Sequence, residues 1–385
     1  MIKLRKLILF TIYNLIAVAL IFIIVEGFAS TAIMVYRIWN MWGWGVAETV
    51  HTEYDDSLGW VNLPNLYVKN MYGPGIYFKT NGQRFRNNHE ISPQIPINKV
   101  RIICSGDSFT LGYGVDNDHT WCHQLVSINP KLETVNMGQG GYGIDQAYLW
   151  YKRDGSKLKH DIHIFAFVTS DFDRMQTDNF VGYGKPILEL KDNVLVIHNV
   201  PVPKPPVFKI YLNRLMQYRM AFLELSSVKI FQRLLFKNSD VSDIKNKNKT
   251  KEVAMKIFQD LDKLNKNNNS ILLLVYLPVK SDYSKFDSEP WRQFLHNQAE
   301  RQNIFFIDLI DEFRKLPIQN IGPMFISQMN ESYMGAAGHY TDKGNSYIAK
   351  VLYDKLCSVQ KIADKIGFKS SGVQIPSAPP KCDNN

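Results

Sequence analysis

The chain alternates short, continuous apolar runs with longer segments in which apolar residues recur every three or four positions. The apolar runs lie at Val100–Cys104, Glu133–Met137, Ile162–Val168, Ile271–Leu277 and Ile304–Leu309. Continuous runs of this kind are typical of parallel strands that are covered on both faces. Segments with helical spacing lie at Thr120–Ile128, Asp145–Tyr151, Lys251–Asn265, Pro290–Arg301 and Thr341–Leu356. The pattern predicts a right-handed, three-layer α/β/α sandwich with a parallel sheet.

The first apolar segment differs from the others in its length. Leu7–Val25 has Asn14 as its only strongly polar residue, and it is close to the roughly 20 residues that a helix needs to cross a bilayer. Three basic residues lie within positions 3–6, so the positive-inside rule predicts a cytoplasmic N-terminus and a main domain outside the cytoplasm, periplasmic or extracellular. A cleavable signal peptide is the alternative, although its apolar core would be longer than usual.

These segments divide the chain into consecutive parts. We predict a cytoplasmic N-terminus (1–6), a transmembrane signal anchor (7–28), a membrane-proximal segment (29–95), the α/β domain (96–360) with a helical insertion (201–240), and a disordered tail (361–385). The insertion contains a basic amphipathic stretch, Phe208–Phe236. Such a stretch fits a lid or a membrane-surface helix, and it also fits a helix that simply covers the core.

Charge and composition narrow the classes of partner. Among 385 residues, 45 Lys and Arg stand against 36 Asp and Glu, a formal net charge of +9 that favours anionic envelope polymers or lipid headgroups. The lysines of segment 245–251 are typical of a solvated loop rather than of a nucleic-acid groove. Phosphate-loop, dinucleotide and zinc-ligand patterns do not occur. The sequence predicts no cofactor, no metal and no nucleic-acid partner.

The stretch at 100–114 carries the strongest chemical signal. The first strand of the predicted sheet runs into Gly106-Asp107-Ser108, and a glycine-rich turn with helical spacing follows. A strand, a sharp turn and a helix together place a serine above the carboxyl edge of a parallel sheet, where ligands bind. Ser108 is therefore a candidate nucleophile, which needs a base to take its proton and donors for an oxyanion.

The stretch resembles the first sequence block of the SGNH/GDSL hydrolase family, and the resemblance extends over roughly Val100–Leu356. A second block, 136–143, follows the second strand, and a last block, 338–345, precedes the final helix. The resemblance implies a flavodoxin-like α/β fold and ester hydrolysis or acyl transfer. It also implies that Ser108 is the nucleophile, that His339 is the general base, and that the backbone N–H groups of Ser108 and Gly141 hold the oxyanion.

Two positions depart from the family pattern. Where the family has Gly-x-Asn-Asp in its third block, this chain has Val168-Thr169-Ser170-Asp171, so Ser170 is either a shorter oxyanion donor or a plain loop residue. Ala336 stands three residues before His339, where the family has an aspartate. Three explanations account for the missing aspartate: a backbone carbonyl orients the histidine of a Ser-His dyad, an aspartate from elsewhere in the chain does so, or catalysis is lost. The candidates for such an aspartate are Asp308, Asp311 and Asp342.

Short motifs outside the four blocks look like a membrane-anchored bacterial subgroup of the family. They are Leu58-Gly59-Trp60, Asn81-Gly82-Gln83-Arg84, Lys185-Pro186 and Pro201-Val202-Pro203. The sequence thus predicts a membrane-anchored, extracytoplasmic serine ester hydrolase or acyltransferase that acts on O-acyl groups of envelope polysaccharides or lipids. The alternative is a catalytically weakened SGNH-fold protein that binds carbohydrate or envelope polymer, because fold alone does not confer activity.

Overall fold

The computed structural model describes residues 3–21, 50–180, 183–204, 240–327, 335–359 and 362–363. The chain forms two compact units, one of Met1–Gly45 with Phe208–Asn238 and one of Val46–Val207 with Ser239–Asn385. Most of the predicted insertion, residues 205–239, lies outside the described residues, as do nearly all of the predicted tail and the end of the predicted anchor.

In the first unit the described residues form one helix, α1 (Lys3–Ile21). It has 19 residues, and an 18-residue window within it has a mean hydropathy of 1.9 and is not buried within the protein. A helix of this length and composition fits either a membrane anchor or a signal sequence.

The second unit is built on a five-stranded parallel sheet that is accompanied by short antiparallel pairs. Its strands are β1 (Thr52–Asp55), β2 (Gly59–Asn62), β3 (Tyr67–Val68), β4 (Phe78–Lys79), β5 (Val100–Gly106), β6 (Leu132–Gly138), β7 (Ile162–Phe167), β8 (Asn179–Phe180), β9 (Tyr183–Gly184), β10 (Ile187–Lys191), β11 (Val194–His198), β12 (Ile271–Tyr276) and β13 (Phe305–Asp308). The order in the main sheet is β13-β12-β7-β5-β6, and each adjacent pair is parallel.

Helices connect these strands. They are α2 (Ser108–Leu111), α3 (Trp121–Ile128), α4 (Ile144–Arg153), α5 (Thr169–Arg174), α6 (Asp240–Asn267), α7 (Glu289–Gln302), α8 (Ile310–Arg314), α9 (Ile318–Ile321) and α10 (Asp342–Ser358). Short 3₁₀ turns lie at Asn117–His119, Gly155–Lys157, Lys280–Tyr283 and Gly322–Met324.

The sheet is buried between two helical layers, which confirms the predicted fold class. Side chains of α4, α6 and α7 form one apolar cluster with one face of the sheet, and side chains of α3 and α10 form another with the opposite face. The five predicted strands are present with ends shifted by one or two residues, and Thr341 caps α10 by accepting a hydrogen bond from the Gly344 N–H.

Helix α6 and the hairpin β10–β11 are among the elements that differ from the prediction. Helix α6 begins at Asp240, eleven residues before the predicted start, because its first turns are too polar to show helical spacing. The hairpin β10–β11 is absent from the prediction. Its turn residues Asp192 and Asn193 both adopt positive φ, of 50° and 60°, as a two-residue hairpin turn requires.

Candidate active site

Ser108 lies where strand β5 passes into helix α2. The Asp107 carboxylate caps this short helix by accepting a hydrogen bond from the Phe109 N–H at 2.9 Å, and Gly112 ends it with a φ of 90°. Only 5% of Ser108 is exposed, so its hydroxyl lies in a largely desolvated position at the carboxyl edge of the sheet. The local structure is the strand, turn and helix that the sequence predicts.

His339, which lies 231 positions after Ser108 in the chain, contacts the Ser108 side chain. Its Nε2 lies 2.7 Å from the Ser108 Oγ, and its Nδ1 lies 3.2 Å from the backbone oxygen of Ala336. If Nδ1–H donates to that carbonyl, Nε2 is the unprotonated nitrogen that accepts the Ser108 proton. The imidazole also packs against Phe109 and Tyr113, with ring centroids 4.7 and 5.2 Å away, so both aromatic rings help to hold it in place.

The family position for the third triad residue is apolar in this protein. Ala336 is 3% exposed and belongs to an apolar cluster with Leu111 and Tyr113. Asp308 and Asp311 both pair with Arg292. Within the described ranges, no aspartate hydrogen-bonds the His339 ring. The neighbour of His339 Nδ1 is therefore the Ala336 carbonyl and not an aspartate.

Strand order places the candidate oxyanion donors on both sides of Ser108. Gly141 follows β6 and Ser170 follows β7, and these two strands flank β5. The N–H groups of Ser108 and Gly141 donate to no other residue in the described part of the chain. Ser170 is exposed in the first turn of α5. The sheet thus brings Ser108, Gly141 and Ser170 to one edge, although no hydrogen bond to another described residue orients the Ser170 hydroxyl.

Gly141 has to be glycine for two separate reasons. Its φ of 74° lies in the left-handed region, which disfavours other residues. A Cβ at this position would also lie 2.4 Å from Cε1 of the Phe180 ring. The loop that carries the candidate N–H donor is therefore packed directly against an aromatic side chain.

A buried charge cluster lies beside Ser108, and the sequence did not predict it. Nη1 of Arg174 donates to Asp107 Oδ2 at 3.3 Å, to Asp171 Oδ1 at 2.6 Å and to the backbone oxygen of Tyr142 at 3.0 Å. The guanidinium also lies 5.3 Å from the centre of the Phe180 ring. The i, i+3 spacing of Asp171 and Arg174 was a local signal for part of this cluster.

Burial and charge set the protonation of the site. Burial lowers the pKa of His339, because the imidazolium would lose its hydration, while the Asp107 carboxylate opposes this shift. Burial, together with the charge of Asp107, raises the pKa of Asp171 well above its usual range. His339 is therefore neutral at physiological pH, which is the state in which it can accept a proton.

Two adjoining cavities of about 530 and 540 Å³ lie between the β10–β11 hairpin and α6. Leu190 and Glu252 line both of them, and Met175 and Gln176 line the first. The cavities therefore begin at the carboxyl end of α5, directly after Arg174, and do not lie over Ser108. No cluster of three or more His, Cys, Asp or Glu residues suited to a metal ion occurs within the described ranges.

No protein-family model and no curated protein matches the chain. Solved structures do match it. A member of the lipolytic protein G-D-S-L family from Veillonella parvula DSM 2008 is 13% identical over 66% of this chain and 98% of that one, with a TM-score of 0.37. A GDSL-like lipase from Bacteroides thetaiotaomicron VPI-5482 is 11% identical over 69% and 91%, with a TM-score of 0.33. An acetyl xylan esterase, AlAXEase, is 14% identical over 66% and 99%, with a TM-score of 0.37.

The chain is similar in fold to GDSL hydrolases. Two of these three solved structures are described as GDSL proteins.

Proposed function

We propose that the protein is a membrane-anchored, extracytoplasmic ester hydrolase or acyltransferase with a Ser108–His339 centre. The observation that carries the proposal is the 2.7 Å separation of His339 Nε2 and Ser108 Oγ, which joins residues 231 positions apart in the chain. A nucleophile and a base within hydrogen-bond reach, with the base held by a third group, are the arrangement that activates a serine. The proposed substrate is an O-acyl group on an envelope polysaccharide or lipid.

The proposed reaction has two acyl-transfer steps. Ser108 Oγ attacks the acyl carbonyl carbon while His339 Nε2 takes the hydroxyl proton, and the carbonyl oxygen becomes an oxyanion. The N–H groups of Ser108 and Gly141, with the Ser170 hydroxyl, stabilise that charge. Collapse of the intermediate breaks the ester C–O bond, and His339 returns the proton to the leaving alcohol. Water or an acceptor hydroxyl then takes the acyl group from Ser108 by the same steps.

The alternative function is a binding protein on a weakened hydrolase scaffold. The apolar surroundings of Ala336 and the exposed position of Ser170 favour it, since two positions that support catalysis in the family have other roles here. The carbonyl contact of His339 Nδ1 favours catalysis instead, because it orients the ring without a carboxylate.

The test uses the full-length chain in detergent micelles and 4-nitrophenyl acetate. We expect turnover by the wild type, and a loss of about 10⁴-fold or more in kcat for Ser108→Ala and for His339→Ala. Ser358→Ala, at an exposed serine that ends the last helix, is the matched control and should retain full activity. A fluorophosphonate probe should label Ser108 in the wild type and not in the His339 variant.

Equal rates for the wild type and Ser108→Ala would remove Ser108 as the nucleophile. Absence of fluorophosphonate labelling, combined with retention of the chain on an O-acetylated polysaccharide column, would favour the binding protein instead.

A further inference from the structure

Lys185 is a fully buried lysine close to the candidate active site. Its side chain has no exposed surface, and neither has the carboxylate of Asp145, to which it is paired. Burying an ammonium group is costly unless each of its donors is satisfied. The Lys185 Nζ meets this condition, because it donates to Asp145 Oδ2 at 2.5 Å and to the backbone oxygens of Arg174 and Thr177 at 3.1 and 3.2 Å.

The partners of Lys185 belong to the two elements that carry the candidate oxyanion donors. Asp145 lies in the first turn of α4, which begins three residues after Gly141. Arg174 and Thr177 lie at the carboxyl end of α5 and just beyond it, and the first turn of α5 holds Ser170. One ammonium group therefore bridges the segment after β6 and the segment after β7.

Arg174 extends this link to the nucleophile. Its backbone oxygen accepts from Lys185, while its side chain donates to the backbone oxygen of Tyr142 and to Asp107 Oδ2. The loop between β6 and α4 packs closely against α5 at Gly143, since a Cβ there would lie 2.7 Å from Asp145 Oδ1 and 3.1 Å from Arg174 Cβ. A change in the position of α5 would therefore move the loop and the Asp107 carboxylate as well.

We propose that Lys185 is a positioning residue for the oxyanion site. It holds the Gly141 loop and helix α5 at the separation at which their donors face a single oxygen atom, and it does so without touching the substrate. The expected loss of kcat rests on the proposed function, whereas the bridging contacts of Lys185 do not depend on it. Misplacing a catalytic group by about 1 Å costs on the order of 10² in rate, so removal of this bridge affects kcat more than KM.

The test compares Lys185→Met with Lys152→Met in the full-length chain. Methionine keeps the length of the side chain and removes its charge. Lys152 is the matched control, because it pairs with Asp260 at 3.1 Å from the same helix α4 but is half exposed. Two quantities are measured: amide hydrogen exchange over residues 139–147 and 171–177, and kcat and KM for 4-nitrophenyl acetate.

We expect Lys185→Met to speed exchange in both segments while strand β12 stays protected, and to lower kcat by about 10² with KM changed by less than about threefold. Lys152→Met should leave both quantities as in the wild type. Unchanged exchange in the two segments, or faster exchange with an unchanged kcat, would overturn the proposal.

A second variant separates positioning from stability alone. Lys185→Met leaves the Asp145 carboxylate buried without a cation, which destabilises the whole protein. A double variant that also carries Asp145→Asn removes this uncompensated charge. We expect the double variant to recover most of the lost Tm while its kcat stays about 10² below the wild type. Recovery of kcat together with Tm would assign Lys185 a purely structural role.

The hydrogen-exchange measurement tests the bridging role of Lys185 independently of the proposed function. A wild type that neither turns over the ester nor reacts with the fluorophosphonate would refute the proposed function. In that case, faster exchange confined to the two segments in Lys185→Met would still support the bridging role, and unchanged exchange would refute it.

Discussion

At the scale of single residues, the site replaces a missing carboxylate with a backbone carbonyl and a nearby charge. The Ala336 carbonyl oxygen lies 3.2 Å from His339 Nδ1, so a proton on Nδ1 would donate to it and leave Nε2 free to accept. Asp107 lies on the other side, with Oδ2 3.4 Å from the Ser108 Oγ, and its charge favours the imidazolium that forms during proton transfer. Under the proposed mechanism, orientation and charge stabilisation of the imidazole are divided between these two residues.

This division predicts a specific pH dependence. Burial lowers the pKa of His339 below its ordinary value of 6.5, so kcat/KM should fall only when the pH drops through a midpoint below 6.5. Asp107→Asn removes the carboxylate charge, which leaves Arg174 as the charged group that acts on His339 and lowers the pKa further. The midpoint should therefore move to still lower pH, and the plateau should fall about tenfold because the imidazolium loses its partner.

The measurement is a pH profile of kcat/KM with 4-nitrophenyl acetate. The amide that Asp107→Asn introduces keeps a side-chain oxygen that can cap α2, so the helix should form in this variant. Asp287→Asn, at an exposed residue, should leave the midpoint in place. A midpoint that rises in Asp107→Asn would contradict the electrostatic role.

At the scale of elements, the site depends on loops that follow adjacent strands and pack with almost no free space. A Cβ on Gly138 would lie 2.0 Å from the Leu111 N, so β6 can approach α2 only through a glycine. A Cβ on Gly141 would likewise lie 2.4 Å from Cε1 of the Phe180 ring. These contacts position backbone N–H groups, which explains why small residues dominate the second block.

Gly141→Ala should therefore lose activity beyond what its backbone strain explains. Gly75 is the matched control, because its φ of 80° is close to the 74° of Gly141 but a Cβ there meets nothing within 4 Å. Each alanine should cost about 1–2 kcal/mol of stability for its left-handed backbone. Only Gly141→Ala should also lower kcat, by about 10²–10³, as loss of an oxyanion donor does.

Thermal unfolding and kcat for both variants check this prediction. Equal kcat values for Gly141→Ala and Gly75→Ala would show that the Gly141 loop does not hold an oxyanion.

At the scale of the whole molecule, the chain combines an apolar helix near its N-terminus with a three-layer α/β domain. Helix α1 contains Lys3, Arg5 and Lys6 at its start, and its surface is not buried in the protein. The α/β domain buries the strands of its sheet on both faces and therefore has its own core. A membrane helix of this kind would leave the domain on the side opposite the basic residues.

A fusion of bacterial alkaline phosphatase to the C-terminus tests this topology. The enzyme is active only after export, so we expect an active fusion that sediments with membranes. Replacing Lys3, Arg5 and Lys6 by glutamine should lower that activity, since these charges orient the helix. Lys343→Gln, far from the helix in sequence, is the control. An inactive wild-type fusion in the membrane fraction would place the domain in the cytoplasm.

The sequence by itself determined the sheet, its covering helices and the position of Ser108 at the end of a strand. Continuous apolar runs such as Ile271–Tyr276 specify buried parallel strands, and the residues from Gly106 to Ser108 specify a sharp turn at a strand end. These signals are local, because each depends on neighbours within a few positions. The prediction lacks the early start of α6, because polar residues obscure its periodicity, and it lacks the hairpin β10–β11, although β11 is mostly apolar.

Only the tertiary structure decided how the site is held together. The contact of His339 with Ser108 joins residues 231 positions apart. The pairing of Lys185 with Asp145 spans 40 positions, and that of Arg174 with Asp107 spans 67. Such pairs form because parallel strands bring distant loops to one edge of the sheet, where desolvation forces buried charges to find partners.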